Sequence, residues 1–276
     1  MASPDAKVVL VTGCSQGGIG YFLCQRFAQE GCLVHATARR LDSMEGLDKS
    51  RTWKHTMDVT NGQNVRDVVE EVLGQHGRID VLVNNAGAIA VGTLVDVPIE
   101  TVQSTFETNT FAILRTAKAV IPSMAKRKRG LIVNISSVTG EFPTPWNGVY
   151  CASKAAAHSL TEVLCMECQP LGVDVMLVAP GQIKSNISTN MAAHFKMPED
   201  TLYAEYTDKI IQRMNVSQGP GSLPTAEFAR RVVSRALSAR PPRYMRLGGG
   251  AAFVGILAWL PRSLVLWISW RLFGKK

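Results

Sequence analysis

Short apolar runs alternate with amphipathic stretches along most of the chain. Residues 8–11 read Val-Val-Leu-Val, with no polar face. Residues 33–38, 79–83, 130–135 and 173–178 carry similar runs. Runs of this length without strict alternation suit strands buried on both faces of a parallel sheet. Between them, apolar residues recur at helical spacing over residues 20–29, 65–74, 99–124 and 149–169. The rhythm predicts an α/β fold with one doubly wound parallel sheet between two layers of helices. A helix over 224–238 and a strand over 243–247 extend the alternation.

The pattern changes after residue 248. Residues 251–260 are apolar, Pro261 and Arg262 interrupt, and 263–270 resume. Each half is too short to cross a bilayer, which takes about 20 residues. Arg262 near the middle would cost about 2.5–3.5 kcal/mol at bilayer centre. Trp259, Trp267 and Trp270, with basic residues at both ends, suit a membrane interface. These features divide the chain into a domain over 1–248, with a lid at about 186–222, and an apolar helical tail over 249–276. The tail is expected to be a monotopic anchor on the cytosolic face of the endoplasmic reticulum or on a lipid droplet. The alternative is a helix pair packed on the domain or on a dimer partner, with a cytoplasmic location. A homo-oligomer is left open.

Charge follows the same division. The net charge is +8, and residues 240–276 hold seven basic residues and no acidic one, leaving +1 for the rest. The basicity therefore belongs to the tail and does not indicate nucleic acid. The six cysteines form no disulfide framework and are read as reduced thiols. Cys165 and Cys168 make a C-x-x-C with no second pair, so no metal site is expected.

The first strand leads into Thr12-Gly13-Cys14-Ser15-Gln16-Gly17-Gly18-Ile19-Gly20. Glycines at a strand-to-helix turn let backbone N–H groups approach a pyrophosphate, as in a Rossmann domain. The second strand ends in Ala38-Arg39-Arg40, where an enzyme selecting NAD would place an acidic residue. Two guanidiniums there favour the 2′-phosphate of NADP(H). The same loop contains Gly13-Cys14-Ser15-Gln16-Gly17, a G-x-S-x-G that fits the nucleophile elbow of lipases. A lipid ester hydrolase using Ser15 is therefore a minor competing reading, although no acid–histidine pair is identifiable. Tyr150 and Lys154 lie four residues apart in a predicted helix, which places phenol and ammonium on one face. A nearby positive charge would lower the tyrosine pKa.

Taken in order, these motifs resemble the short-chain dehydrogenase/reductase family over about residues 7–248. They are the 12–20 loop, Asp58-Val59 after a third strand, Asn84-Asn85-Ala86-Gly87, Asn109, Asn134-Ile135-Ser136-Ser137, Tyr150-x-x-x-Lys154 and Pro180-Gly181. The resemblance implies that Tyr150 protonates the substrate oxygen during reduction. It makes Lys154 the partner of Tyr150 and of the nicotinamide ribose, Ser137 the donor that polarises the carbonyl, and Asn109 the holder of a relay water. For the cofactor it implies contacts from Gly13, Ser15, Gln16, Gly18, Ile19, Arg39 and Arg40. Asp58 and Val59 would meet the adenine, and Asn85, Ala86 and Gly87 the ribose side. Asn109, Tyr150 and Lys154, with Pro180, Gly181, Ile183 and Ser185, would complete the nicotinamide end. The 12–20 loop is one residue longer than the commonest family form, and Ser185 stands where threonine is usual.

Within the family, the double glycine, the arginine pair and the apolar tail are most similar to fungal NADPH-dependent 1-acyldihydroxyacetone phosphate reductases. That likeness implies a small-molecule lipophilic ketone or alcohol as substrate. A steroid, a retinoid or a secondary-metabolite intermediate is the alternative. Met191, Phe195, Met197, Tyr203 and Tyr206 in the lid are candidates to line its pocket.

Overall fold

A computed structural model describes residues 6–186, 195 and 197–275. Strand β1 (Val8–Val11) is wholly buried, as its uninterrupted apolar run requires. It is followed by α1 (Ile19–Gln29), β2 (Leu33–Ala38), β3 (Thr52–Thr56), α2 (Gly62–His76) and β4 (Val81–Asn84). Asn61 starts α2 by accepting from the N–H groups of Gln63 and Asn64 at 3.0 and 3.1 Å. Gly77 ends it at φ 69°, a left-handed turn that glycine adopts without strain.

The helix expected over 99–124 is interrupted. It divides into α3 (Ile99–Phe106), a π turn (Glu107–Phe111) and α4 (Ala112–Lys126). Then come β5 (Gly130–Ile135), α5 (Gly148–Cys168), β6 (Val173–Pro180) and β7 (Ile183–Lys184). The lid contributes α6 (Thr207–Met214), and β8 (Leu223–Pro224) pairs with β7. Met191 lies outside the described residues. Helix α7 (Thr225–Ala236) and strand β9 (Tyr244–Leu247) complete the domain.

The main sheet is parallel, in the order β3-β2-β1-β4-β5-β6-β9. Strand order reverses between β1 and β4, which opens a crevice at their carboxyl ends. One core packs α1 and α7 on the sheet, with Phe27 and Phe228 fully buried. The other packs α2 and α4 through Val69, Val72, Val120 and Met124. Buried amides tie the second layer to the sheet. Asn84 Nδ2 donates to Asn134 Oδ1 at 2.8 Å, and Asn134 Nδ2 donates to Thr161 Oγ1 at 3.0 Å.

The tail folds back onto the domain as α8 (Ala251–Leu257), α9 (Arg262–Ser269) and a π turn (Trp270–Gly274). Val254, Leu257 and Val265 form a small core with Phe142. Ser269 Oγ donates to the Pro143 carbonyl at 2.7 Å, and Arg262 Nη1 to the Glu141 carbonyl at 3.1 Å. Its other face remains apolar and exposed, with Trp259 at 90%, Ile256 at 66% and Trp267 at 55%. No helix among the described residues is long and apolar enough to cross a membrane.

Candidate active site

A cavity of about 810 Å³ occupies the crevice at the strand ends. Its floor is the first turn. Gly13 sits at φ 70°, and a Cβ there would fall 2.7 Å from Ala86 Cα. The glycine thus lets this loop meet the turn after β4. Asn85 holds the junction, with Nδ2 donating to the carbonyls of Thr12 and Gly13, both at 2.9 Å. Its side chain braces the loop, and the residue also lines the cavity, where a contact on the ribose side is expected of it. Gly18 precedes α1 with no side-chain cap, so the first N–H groups of that helix stay available to an anion.

Nearly every expected cofactor residue lines this cavity: Gly13, Ser15, Gln16, Gly18, Ile19, Arg39, Asp58, Val59, Asn85, Ala86, Gly87, Tyr150, Lys154, Pro180, Gly181, Ile183 and Ser185. Arg40 does not. It is exposed and lies 3.4 Å from Asp42. Neighbouring residues at a strand end point to opposite faces, so one arginine enters the cavity and the next leaves it. Ser15 also lines the cavity, and its hydroxyl donates to Ser43 Oγ at 3.3 Å. Among the described residues no histidine bonds it, so the elbow has no base.

The chemistry-bearing residues converge deeper in. Ser137 follows β5, and its Oγ accepts from Thr139 N and Thr139 Oγ1 at 3.2 and 2.9 Å. With those lone pairs engaged, its own proton is free to donate. Tyr150 and Lys154 rise from the first turns of α5. Lys154 Nζ donates to the Ile135 carbonyl at 3.2 Å and lies 5.7 Å from the Tyr150 ring centroid. Burial pushes the Tyr150 phenol up to about 12, against the opposing hydrogen bond of Ser137. The lowering expected from Lys154 is not among the effects that set the phenol, and burial brings the Lys154 ammonium itself down to about 8. At neutral pH Tyr150 is thus protonated, the form needed to donate a proton to a carbonyl oxygen.

Asn109 stands behind this group and does not line the cavity. The π turn carries it, and its Oδ1 accepts from Ala88 N at 2.8 Å. Its Nδ2 donates to the Ala88 carbonyl at 2.8 Å and to Ser153 Oγ at 2.9 Å. The side chain therefore ties the loop after β4 to the residue preceding Lys154. A π turn of this kind often marks a functional position.

The substrate half has walls that the sequence did not reveal. Phe142 and Thr144 supply one side, Phe253 and Val254 another, and Leu272 and Phe273 close it from the end of the tail. Arg213 of α6 also faces the cavity. Of the lid candidates, Phe195, Met197, Tyr203 and Tyr206 do not line it. Tyr203 and Tyr206 instead pack on Trp146, with ring centroids 5.8 and 5.2 Å away.

A family model of short chain dehydrogenases matches residues 7–195. The chain belongs to this family. Among similar proteins is the short-chain dehydrogenase RED1 of Pyricularia oryzae, 31% identical over 99% of this chain and 96% of that one. An NADPH-dependent 1-acyldihydroxyacetone phosphate reductase of Schizosaccharomyces pombe is 35% identical over 76% of this chain and 72% of that one. A 3-ketodihydrosphingosine reductase of Bacteroides thetaiotaomicron is 38% identical over 67% of this chain and 66% of that one. The crystal structure of a short-chain dehydrogenase from Streptomyces avermitilis superposes with a TM-score of 0.81 at 31% identity, covering 99% of this chain and 100% of that one. A metagenomic short-chain oxidoreductase in complex with NADP gives 0.62 at 30% identity, over 69% and 91%.

As a family member the protein is an oxidoreductase acting between CH–OH and C=O groups. The residues present fit NADP(H). The uncapped start of α1 suits a pyrophosphate, and Arg39 suits the 2′-phosphate. Tyr150 and Lys154 face the far end of the same cavity.

Proposed function

We propose that this short-chain dehydrogenase uses NADPH to reduce the ketone of a long-chain lipid, with 1-acyldihydroxyacetone phosphate as substrate and 1-acylglycerol 3-phosphate as product. The observation that carries this reading is the apolar wall that the tail builds in the cavity that Tyr150 also lines. Phe253, Val254, Leu272 and Phe273 line the cavity, with Phe142 opposite. Such a wall removes an acyl chain from water, which is worth about 0.8 kcal/mol per buried methylene. Two of the similar proteins are named as reductases of 1-acyldihydroxyacetone phosphate and of 3-ketodihydrosphingosine, which supports a lipid ketone as substrate.

When bound, the nicotinamide supplies the hydride. Ser137 donates a hydrogen bond to the carbonyl oxygen, and Tyr150 gives that oxygen its proton. Lys154 keeps a positive charge beside the phenol. Asn109 fixes the position of the Tyr150–Lys154 helix through Ser153, and a water held beside it would return protons to Lys154. The outward face of the tail, with Ile256, Trp259 and Trp267, seats the protein on the surface of the endoplasmic reticulum or a lipid droplet, where such a lipid resides.

The test is NADPH consumption by the purified full-length chain. The panel is 1-palmitoyl-dihydroxyacetone phosphate, 3-ketodihydrosphingosine, steroid ketones, retinal and polyketide ketones. Turnover of the phosphorylated lipid above the rest is the expected result. Turnover only of a steroid, retinoid or polyketide ketone would overturn the lipid assignment.

A further inference from the structure

Arg213 is an arginine in an apolar wall without a counter-charge. Its Nε donates to Thr144 Oγ1 at 3.0 Å, and its guanidinium carbon lies 5.8 Å from the centroid of Phe273. Among the described residues no carboxylate pairs with it, and its hydrogen bond is made by Nε and not by the two terminal nitrogens. Both anchors, Thr144 and Phe273, line the substrate half of the cavity with Tyr150 and Ser137. Arg213 is half-buried, and a guanidinium partly withdrawn from water is costly unless an anion meets it. Its forked terminal nitrogens match the paired oxygens of a phosphate or carboxylate.

We propose that Arg213 is a specificity-determining residue that receives an anionic headgroup, a phosphate monoester, carried close to the substrate ketone. The inference rests on the reading of the site as a lipid ketone reductase and selects among its substrates. In 1-acyldihydroxyacetone phosphate the phosphate is joined to the carbon next to the ketone. In 3-ketodihydrosphingosine that neighbouring carbon bears an ammonium instead. A fixed guanidinium attracts the first and repels the second. Burial lowers the Arg213 pKa, while the Tyr150 phenol and the Cys151 thiol act in the opposite sense.

Two measurements on the full chain test this. The first is the ratio of kcat/KM for 1-palmitoyl-dihydroxyacetone phosphate to that for 1-palmitoyl-dihydroxyacetone, which lacks the phosphate. Arg213→Gln should lower the ratio about 10- to 100-fold, the usual range for a charge-assisted hydrogen-bonded pair, and Arg213→Lys should lie between. A loss of equal size on both ketones would overturn the proposal, because a general effect on Tyr150 acts on both. The second is calorimetric binding of octyl phosphate and of octanol to wild-type protein saturated with NADP+. Octyl phosphate should bind at least about tenfold tighter, and equal binding would overturn the subsite without any variant. Inorganic phosphate should bind far more weakly; affinity matching octyl phosphate would overturn the assignment to a lipid headgroup. Tight octyl phosphate binding with no turnover of the phosphorylated ketone would retain the anion subsite and refute the named substrate.

Discussion

Trp146 Nε1 donates to the main-chain carbonyl of Phe273 at 2.9 Å, joining residues 127 apart in sequence. The Trp146 ring lies 6.0 Å from that of Trp270, and Tyr206 of the lid lies against both. Trp146 itself sits at φ 65°, an uncommon backbone for a bulky residue, held by these surroundings. One side chain thus couples the loop before α5, the lid and the end of the tail. The tail in this way forms part of the cavity wall.

Replacing Trp146 by Phe removes the bond and keeps most of the ring. The expected outcome is a rise in KM for the lipid ketone of up to about tenfold, the range of one hydrogen bond. The dissociation constant of NADPH should change far less, since neither Trp146 nor Phe273 is among the residues expected to hold the cofactor. Steady-state kinetics with parallel fluorescence titration of NADPH separates the two. Matching losses in both constants would show that the bond supports the domain as a whole.

Tyr150→Phe should cut ketone reduction by about 10²- to 10⁴-fold, the range of general acid catalysis, with NADPH still bound. The pH profile adds a second reading. Tyr150, pushed up to about 12, stays protonated across the neutral range. Lys154, brought down to about 8 by burial, is charged below that pH and neutral above it. Reduction should therefore be level near neutrality and fall as pH rises through about 8. Lys154→Arg, which keeps its charge, should move the falling limb upward even if the maximal rate is lower. A profile that does not move with this substitution would assign the limb to another group.

These residues were legible because their spacing is local. Tyr150 and Lys154 share a helix face, and the 12–20 loop shows its glycines in strand–turn–helix context. Strand β3 was harder. It reads Thr-Trp-Lys-His-Thr at the sheet edge, and its inward His55 meets His35 in place of an apolar partner. The π turn at Asn109 was invisible, because no glycine or proline marks it. The one proline of that stretch, Pro122, lies well inside α4. The course of the tail depends on contacts such as Trp146–Phe273 and the 3.1 Å hydrogen bond from Arg262 to the Glu141 carbonyl, which no local pattern encodes.

The arginine pair gives a test of the alternation at the end of β2. Arg39→Ala should weaken NADPH binding about 10- to 100-fold while leaving NADH nearly unaffected, since only NADPH carries the 2′-phosphate. Arg40→Ala should do little to either, because Arg40 is exposed and turned towards Asp42. Paired titrations of both cofactors give the comparison. Equal effects of the two substitutions would mean that the loop rearranges when NADPH binds.

The outward face of the tail makes the last prediction. Trp259, Ile256 and Trp267 are all more than half exposed, while the inward residues Val254, Leu257 and Val265 are buried against Phe142. Substituting the outward three therefore leaves the packing of the wall intact, which removal of the whole tail would not. A large apolar side chain gains about 1.5–3 kcal/mol on full burial, so each contributes roughly tenfold or more to membrane partition. Trp259→Ser, Ile256→Ser and Trp267→Ser combined should abolish co-flotation with liposomes, while turnover of a detergent-dispersed ketone persists. Basic residues of the tail, such as Arg271 stacked 5.0 Å from Trp267, should make wild-type binding stronger on anionic than on neutral liposomes and weaker at high salt. Unchanged flotation of the triple variant would show that this face does not meet lipid. Analytical ultracentrifugation of the same variant would then reveal whether it joins two copies of the chain.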